Sequence, residues 1–380
     1  MSEPPAVILI TGGLGFIGLE LAKTLVTGGY RVVLFDNLSP QIHGAIPQVQ
    51  NPLFDRPNIH VVRGSINDHD TLEPLLQKVS AVVHLAAETG TGQSMYQIAH
   101  YNQINTQGTA VLLDILANKP HSVKKVVLAS SRSIYGEGAY KNLQTGSLEF
   151  PPARSQEALF AHQWEPVGTT GQPLQAVATP EDTPPRPASI YAATKYAQED
   201  LVRIACGSLG IGYTVLRFQN VYGNGQSLNN PYTGILSIFS TRIRKGLMLP
   251  IFEDGKETRD FVHVRDVVSA IRLSLESDRA NGQTFNVGSG IPTSVFDVAR
   301  LLVRALKGTS EIRTTGQYRL GDIRHCYADL TRIRERLGFQ PEVSLEQGID
   351  EFAGWVLTQT LPEDRLEQAN RELIERKLMG

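Results

Sequence analysis

A glycine-rich turn between a strand and a helix constrains the fold of this chain most strongly. The turn, residues 11–18, follows an apolar run, residues 6–10, whose length and β-branching are typical of a buried parallel strand. After the turn, Ile17, Leu21 and Leu25 recur at helical spacing. This order predicts a strand, a tight turn and a helix that packs closely on the strand.

The glycines of the turn indicate what it binds. Gly12, Gly15 and Gly18 have a spacing related to the dinucleotide fingerprint, in which glycines let the backbone approach a pyrophosphate at the helix N-terminus. Asp36 directly follows the next strand-like run, residues 31–35. An acid at this position is expected to bind the adenosine ribose. The pair predicts a dinucleotide site, and the carboxylate favours NAD over NADP because it would repel a 2′-phosphate.

Composition excludes several classes of function. A chain of 380 residues with a net charge of −2 has room for a large core and no basic field for nucleic acid. Its two cysteines, Cys206 and Cys326, can form neither a disulfide framework nor a zinc site, and we expect them in a reducing compartment. The first residues do not resemble a signal peptide, and no apolar run approaches the ~20 residues that span a bilayer. We therefore expect a cytoplasmic protein with no metal and no membrane contact.

Apolar strand-like runs alternate with helical stretches through the first half of the chain. This alternation predicts an α/β fold with a doubly wound parallel sheet, that is, a modified Rossmann fold with a smaller C-terminal substrate-binding lobe. The further runs are residues 59–63, 81–85, 126–129 and 213–218.

The same rhythm predicts the domain organisation. Residues 1–220 form the dinucleotide-binding domain, and residues 221–357 form most of the smaller lobe, which is interleaved with the first domain. Residues 139–187, rich in proline and glycine, interrupt the rhythm as a surface insertion that either overhangs the substrate or only decorates the surface. Residues 358–380 form a helical tail with an amphipathic pattern, expected to dock on the core or on a partner subunit.

A tyrosine and a lysine carry the candidate chemistry. Tyr191 and Lys195 lie four residues apart, so a helix places both side chains on one face. An adjacent ammonium and a positive nicotinamide ring would lower the pKa of the phenol and make it a base. Ser131 ends an apolar strand, and ligands in open α/β sheets bind at such ends. Each residue alone is compatible with a surface helix or a capped turn, but together with the glycine turn and Asp36 they predict a catalytic trio.

These motifs together resemble the extended short-chain dehydrogenase/reductase family of NAD-dependent nucleotide-sugar epimerases and dehydratases. The resemblance covers residues 6–357 apart from the insertion. The stretches that carry it are residues 11–18, 36–37, 84–87, 105–109, 130–136, 191–195, 216–220 and 259–263.

The resemblance implies a role for each matching residue. The catalytic residues would be Ser131, Tyr191 and Lys195. The residues that hold NAD would be Gly12, Gly15, Phe16, Ile17, Gly18, Asp36, Asn37, Ser65, Ile66, Leu85, Ala86, Ala87, Asn105, Tyr191 and Lys195. The residues that contact the nucleotide-sugar substrate would be Glu88, Thr89, Ser131, Arg132, Asn220, Arg259, Arg319 and Asp322.

Ser65 departs from the pattern of the family. Relatives usually have aspartate at this position, and serine would accept the bond from the adenine amino group more weakly. Arg319 is expected at the diphosphate, because the planar fork of arginine donates two parallel hydrogen bonds.

The residues after Ser131 bear on the reaction class. Members of the family share a first step in which the tyrosine removes the proton of the sugar C4 hydroxyl while hydride passes to NAD⁺. Dehydratases and decarboxylases have an acid just after the serine, where this chain has Arg132 and Ser133. A 4-epimerase needs only that the keto sugar turn over and take back the hydride, and these residues favour that reaction.

A finer resemblance points to a substrate. Residues 88–96, 135–140 and 179–182 resemble those of dTDP-L-rhamnose 4-epimerases, although the paired cysteines that some of those relatives carry in the insertion are absent here. The predicted pair is therefore dTDP-L-rhamnose and dTDP-6-deoxy-L-talose. The alternatives are a nucleotide-sugar 4-keto reductase, a 4,6-dehydratase and a non-catalytic NAD-binding scaffold. The resemblance also implies a homodimer, paired through helices near residues 97–117 and 189–207.

Overall fold

A parallel sheet forms the centre of the computed structural model, which describes residues 6–44, 51–230 and 234–380. In these residues the sheet has seven strands, in the spatial order β3-β2-β1-β4-β5-β6-β7. The order reverses between β1 and β4, which is where open α/β sheets bind their ligands. The strands are Val7–Thr11 (β1), Arg31–Asp36 (β2), Ile59–Arg63 (β3), Ala81–His84 (β4), Lys125–Ser131 (β5), Gly212–Phe218 (β6) and Gln283–Val287 (β7).

Helices cover both faces of the sheet. Successive strand residues point to opposite faces, so that Ile8 and Ile10 belong to one apolar core and Leu9 to the other. This arrangement confirms the prediction of a doubly wound α/β sheet. The helices are Phe16–Thr27, Val264–Glu276 and Thr331–Leu337 on the first face and His69–Leu76, Gly108–Asn118 and Ile190–Leu209 on the second.

One strand of the sheet comes from late in the chain. β7 pairs with β6 in parallel, with Phe285 opposite Leu216 and Val287 opposite Phe218. The sequence pattern singled out the other strands of this sheet but not β7, which lies within the range assigned to the smaller lobe. A segment from late in the chain thus completes one edge of the large sheet.

The smaller lobe has an apolar core of its own, built around Phe239, Phe261 and Phe352. Its helices are Ile235–Arg244, Val295–Ala305 and Leu345–Thr358. Its short strands are Asn220–Tyr222, Leu249–Ile251, Thr258–His263, Pro292–Ser294, Ile312–Thr314 and His325–Cys326.

Buried charges anchor the insertion, residues 139–187, to the smaller lobe. The side chain of Arg154 is 4% exposed and forms ion pairs with Glu137 at 3.0 Å and with Glu253 at 2.8 Å. The fully buried Arg324 pairs with Glu165 of the insertion at 2.6 Å. The insertion has short strands at Tyr140–Asn142, Leu148–Glu149 and Leu174–Ala176 and a helix at Gln156–Phe160.

Shorter elements complete the described chain. No helix in the described ranges is both long enough and apolar enough to cross a membrane. The helix Leu366–Glu375 lies in the segment where the amphipathic pattern predicts one, and Leu366 and Leu373 are buried. The remaining elements are the helices Pro40–His43, Thr91–Ser94 and Ile98–Tyr101, the π-helical turn Asn102–Gln107 and the 3₁₀ turns Pro52–Asp55, Arg132–Tyr135 and Asp278–Ala280.

Candidate active site

The glycine turn between β1 and the helix Phe16–Thr27 leaves no room for side chains. Gly12 has a φ of +66°, and a Cβ there would lie 2.8 Å from the backbone nitrogen of Ala86. A Cβ on Gly18 would lie 2.6 Å from the carbonyl oxygen of Gly13. Gly15 caps the helix N-terminus, where backbone N–H groups favour an anion. The backbone of this turn, which carries no side chains at its glycines, fits the pyrophosphate of NAD.

Asp36 lies beside this turn at the carboxyl end of β2. Its carboxylate accepts hydrogen bonds from the backbone N–H groups of Leu14, at 3.0 Å, and Leu38, at 2.8 Å. Asn37 follows it, and the Asn37 side chain accepts a bond from Ser39 N. The acid thus joins the glycine turn to the loop after β2, the place where an adenosine ribose would lie.

Two other predicted cofactor residues lie next to Asp36. Ser65 and Ile66 follow β3, the neighbour of β2, and Gly64 N donates a bond to Asp36 O at 3.0 Å. Ser65 Oγ accepts a bond from Asn67 N at 3.3 Å. Ile66 is buried.

Asn105 lies in the π-helical turn Asn102–Gln107 and fixes the loop that follows β4. Its side chain accepts a bond from Glu88 N at 2.8 Å and donates one to Glu88 O at 3.1 Å. It also donates to Thr194 Oγ1 at 3.0 Å. Since π turns are frequent at functional sites, this position is consistent with the predicted supporting role.

Ser131 ends β5 and caps the turn Arg132–Tyr135. Its Oγ accepts bonds from Ser133 N at 3.1 Å and from Ser133 Oγ at 2.8 Å. With the acceptor sites of Ser131 used in this way, its own proton remains to be donated to a neighbouring group.

Tyr191 lies in the first turn of the helix Ile190–Leu209. The capping residue Ser189 accepts a bond from Ala192 N, and Tyr191 N donates to Ser94 Oγ at 3.0 Å. Burial raises the pKa of the Tyr191 phenol, and a hydrogen bond with Ser131 and the charge of Arg132 only partly oppose that rise. In the protein alone, burial thus outweighs these polar neighbours. The lowering expected from Lys195 and a nicotinamide ring concerns the NAD-bound state and stays a prediction.

Lys195 belongs to a buried polar network. Its Nζ donates to Gln198 Oε1, and Gln198 Nε2 donates to Thr109 Oγ1 at 2.6 Å. His84 joins Thr109, at 2.9 Å, to Thr11 at the end of β1, at 2.7 Å. Burial lowers the pKa of Lys195 to about 7 and that of His84 to about 3, so the histidine is neutral.

A cavity of about 470 Å³ opens between the two lobes at the carboxyl ends of the strands. The three predicted catalytic residues, Ser131, Tyr191 and Lys195, lie in its wall together with Phe16 and Ile17 of the glycine-turn helix and three arginines. The predicted site residues that line it are Phe16, Ile17, Leu85, Ala87, Thr89, Ser131, Arg132, Tyr191, Lys195, Asn220, Arg259, Arg319 and Asp322.

The other predicted residues lie outside this wall. No residue of the insertion is among the residues that line the cavity in the described chain. Ala86, Glu88 and Asn105 lie beside the lining residues. The others lie in or just after the carboxyl ends of β1, β2 and β3, and they are Gly12, Gly15, Gly18, Asp36, Asn37, Ser65 and Ile66.

The substrate side of the cavity is rich in arginine. Arg132 Nε donates to Asn220 Oδ1 at 2.8 Å. Arg259 Nη1 donates to the carbonyl oxygens of Thr258 and Arg324. Because charges in a low-dielectric cavity act strongly, this side favours an anionic group.

The sequence patterns missed several lining residues. Glu257 faces the cavity near Arg259, and burial raises the pKa of its carboxyl group to about 7. Gln198 was missed as well, although it bonds to Lys195 and does not line the cavity. Glu257 lies two positions before Arg259 and Gln198 lies one helical turn after Lys195, so spacing from a known motif is the signal that could have found them. Phe252 and Leu366 come from segments without a recognisable motif.

Comparison with known proteins agrees with this geometry. The chain is 39% identical to dTDP-L-rhamnose 4-epimerase of Burkholderia thailandensis over 351 residues, which cover 92% of this chain and 94% of that protein. The crystal structure of UDP-glucose 4-epimerase of Thermotoga maritima with UDP-glucose matches with a TM-score of 0.72 and 30% identity over 92% of this chain and 98% of that one. The structure of dTDP-glucose 4,6-dehydratase of Streptomyces venezuelae with NAD bound matches with a TM-score of 0.74 and 25% identity over 92% and 96% of the two chains.

The family match extends over both lobes. Residues 8–157 and 165–288 match one family, and these ranges include the glycine turn, Ser131, Tyr191, Lys195 and β7. The predictions of a Rossmann-type fold, of an enzyme and of NAD as its cofactor are confirmed. The chain belongs to the NAD dependent epimerase/dehydratase family.

Proposed function

We propose that this protein is a nucleotide-sugar 4-epimerase that acts through a transient 4-keto sugar and interconverts dTDP-L-rhamnose and dTDP-6-deoxy-L-talose. The observation that carries the proposal is that Ser131, Tyr191 and Lys195 share one cavity with Arg259 and Arg319. A sugar held at the trio would then have its diphosphate among the arginines. The 39% identity to a dTDP-L-rhamnose 4-epimerase over 92% of the chain supports the choice of substrate.

Each residue of the site has its own role in the proposed reaction. Tyr191 takes the proton of the C4 hydroxyl and later returns it, and Ser131 donates a hydrogen bond to the same oxygen. NAD⁺, when bound, supplies the hydride acceptor and a positive ring charge that favours the phenolate. Lys195 adds its own positive charge on the same helix face. The glycine turn, Asp36 and the loops after β2 and β3 would hold the cofactor.

The positions after Ser131 favour epimerisation over elimination. Arg132 bonds to Asn220 and carries a positive charge, and Ser133 bonds to Ser131. Neither side chain can serve as the carboxyl acid that elimination of water needs. Asn220, Glu88 and Thr89 are then left to contact the sugar and fix which of its faces meets the hydride.

A homodimer is part of the proposal. Ile98 and Ile204 are 49% and 59% exposed, and they lie at the start of the helix around residues 98–118 and on the helix Ile190–Leu209. Apolar side chains of this size on neighbouring helices favour burial against a second copy.

The test is to incubate the purified protein, without added cofactor, with a panel of dTDP-, UDP-, GDP- and CDP-sugars and to follow the products by proton NMR. A C4 epimer of dTDP-L-rhamnose at unchanged mass supports the proposal. Loss of water, or turnover only with added reduced cofactor, would assign the protein to the dehydratases or reductases instead.

A further inference from the structure

The last described segment of the chain, residues 364–380, packs against one wall of the cavity. Leu373 lies against Gly92, where a Cβ would be 3.3 Å from Leu373 Cδ1. The hydroxyl of Tyr96 donates to Glu372 Oε2 at 2.9 Å, and Arg376 stacks over the Tyr96 ring at 4.4 Å. This wall is continuous with the catalytic helix, because its helix Thr91–Ser94 accepts the bond from Tyr191 N.

The same segment also pairs with the substrate side of the cavity. Residues 378–380 run antiparallel to residues 318–320, with Tyr318 N donating to Gly380 O at 2.8 Å and Leu320 N donating to Leu378 O at 2.9 Å. Between these two attachments Leu366 reaches the cavity itself. The segment therefore joins the two lobes across one side of the cavity.

Arg319 lies at the centre of this pairing, and its side chain is also bonded to the segment. Its Nη2 donates to Asn370 Oδ1 at 3.1 Å, and its guanidinium stacks over Phe252 at 4.6 Å from the ring centre. Its Nε is buried and has no hydrogen-bond partner among the described residues. The arginine is thus held in place while its Nε donor remains unused.

We propose that residues 364–380 form a wall of the substrate site and that Asn370 is a positioning residue, which holds Arg319 ready to bind the substrate diphosphate. The inference rests on the proposed function, which places a nucleotide sugar in this cavity. An arginine side chain loses much rotamer freedom when it binds an anion, and a side chain already held by Asn370 and Phe252 loses less. Asn370 therefore strengthens binding without touching the substrate.

The experiment measures binding of dTDP and UDP to the NAD-loaded enzyme by calorimetry, for the unchanged protein and for three variants. In Asn370→Ala the Kd of the nucleoside diphosphate is expected to rise roughly tenfold, since a hydrogen bond to a charged group is lost. Gln368→Ala, an amide on the exposed side of the same helix, is the matched control and is expected to have no effect.

Two further readouts separate positioning from a general structural role. Asn370→Ala is expected to raise the KM for the nucleotide sugar while leaving kcat and the NAD content unchanged. An unchanged Kd and KM in Asn370→Ala, or an equal loss in Gln368→Ala, would overturn the inference.

Arg319→Ala distinguishes this failure from a failure of the proposed function. If Arg319→Ala weakens diphosphate binding and Asn370→Ala does not, the inference alone is wrong. If Arg319→Ala binds dTDP and UDP as well as the unchanged protein does, the placement of the diphosphate is wrong, and the inference is overturned with it.

Discussion

The Lys195 ammonium donates a hydrogen bond to the side-chain carbonyl of Gln198, which lies one helical turn further along the helix Ile190–Leu209. The amide of Gln198 cannot turn over without losing its second bond, because its nitrogen donates to Thr109. The neutral His84 continues this network to Thr11 and thereby to the strand that carries the glycine turn. A chain of hydrogen bonds thus connects Lys195 with the strand that precedes the glycine turn.

Replacing Gln198 by methionine should lower kcat. The variant keeps the volume of the side chain but removes the acceptor for Lys195, so the ammonium is no longer held beside Tyr191. We expect kcat to fall roughly 10- to 100-fold, the size of one lost hydrogen bond to a charged group, with NAD still bound. Steady-state kinetics check this, with the exposed Gln77→Met as control. Unchanged turnover would show that Lys195 needs no such support.

Replacing Tyr191 by phenylalanine should nearly abolish turnover, because the proposed mechanism assigns removal of the C4 proton to this phenol. We expect kcat to fall about 10³-fold, a typical loss for an acid–base residue. Absorbance of the purified protein should show unchanged NAD. Tyr196→Phe on the same helix is the matched control, and near-normal activity of Tyr191→Phe would exclude this residue as the base.

Replacing Asp36 by alanine should weaken NAD binding. The variant loses the proposed ribose contact and also the bonds that Leu14 N and Leu38 N donate to the carboxylate. We expect roughly tenfold weaker binding, about 1.4 kcal/mol. Titration of NAD into the stripped protein measures it, with the exposed Asp55→Ala as control. An unchanged affinity would refute the ribose contact.

Burial of Lys195 should make stability depend on pH. The folded protein releases this proton near its lowered pKa of about 7, whereas the unfolded chain keeps it up to the ordinary lysine value. The unfolded state therefore binds more protons above pH 7, and the free energy of unfolding should rise with pH, by up to ~1.4 kcal/mol per unit. Urea unfolding at pH 7 and pH 9 checks this. In Lys195→Met this contribution should be missing, and an equal slope in both proteins would contradict the assignment.

Replacing Arg154 by methionine should destabilise the protein strongly. The variant leaves the buried carboxylates of Glu137 and Glu253 without their partner, and breaking such a pair costs about 3–5 kcal/mol. Arg203→Met removes an ion pair whose arginine is 57% exposed and should cost no more than about 0.5 kcal/mol. Calorimetric melting temperatures compare the two. Equal melting temperatures would mean that the insertion is not anchored through Arg154.

Much of the sheet could be predicted from the sequence because its signals are local. Residues 6–10 and 32–35 are continuous apolar runs of a length typical of buried strands, and the spacing of the glycines between them favours a dinucleotide-binding turn. β7 has a weaker strand pattern, since its sequence Gln-Thr-Phe-Asn-Val mixes apolar and polar residues. Asn286 is buried there because Tyr135 and Thr179, distant in sequence, supply its hydrogen bonds.

The candidate site also contains residues that the sequence could indicate and residues that it could not. Ser131, Tyr191 and Lys195 belong to short motifs with fixed spacing, so the sequence alone could point to them. Asn370 cannot be found by spacing, because its partner Arg319 lies 51 positions away on a different element. The shift of the Tyr191 pKa also depends on burial, which no motif encodes.

The late origin of β7 has a consequence for synthesis of the protein on the ribosome. Until residue 287 has emerged, β6 has an unpaired edge, and the apolar side chains of Leu216 and Phe218 lack the neighbours that β7 supplies. A nascent chain that ends near residue 220 therefore presents an open strand to other chains and is a natural target for chaperones. The seven-stranded sheet is therefore complete only after residues 283–287 have been synthesised.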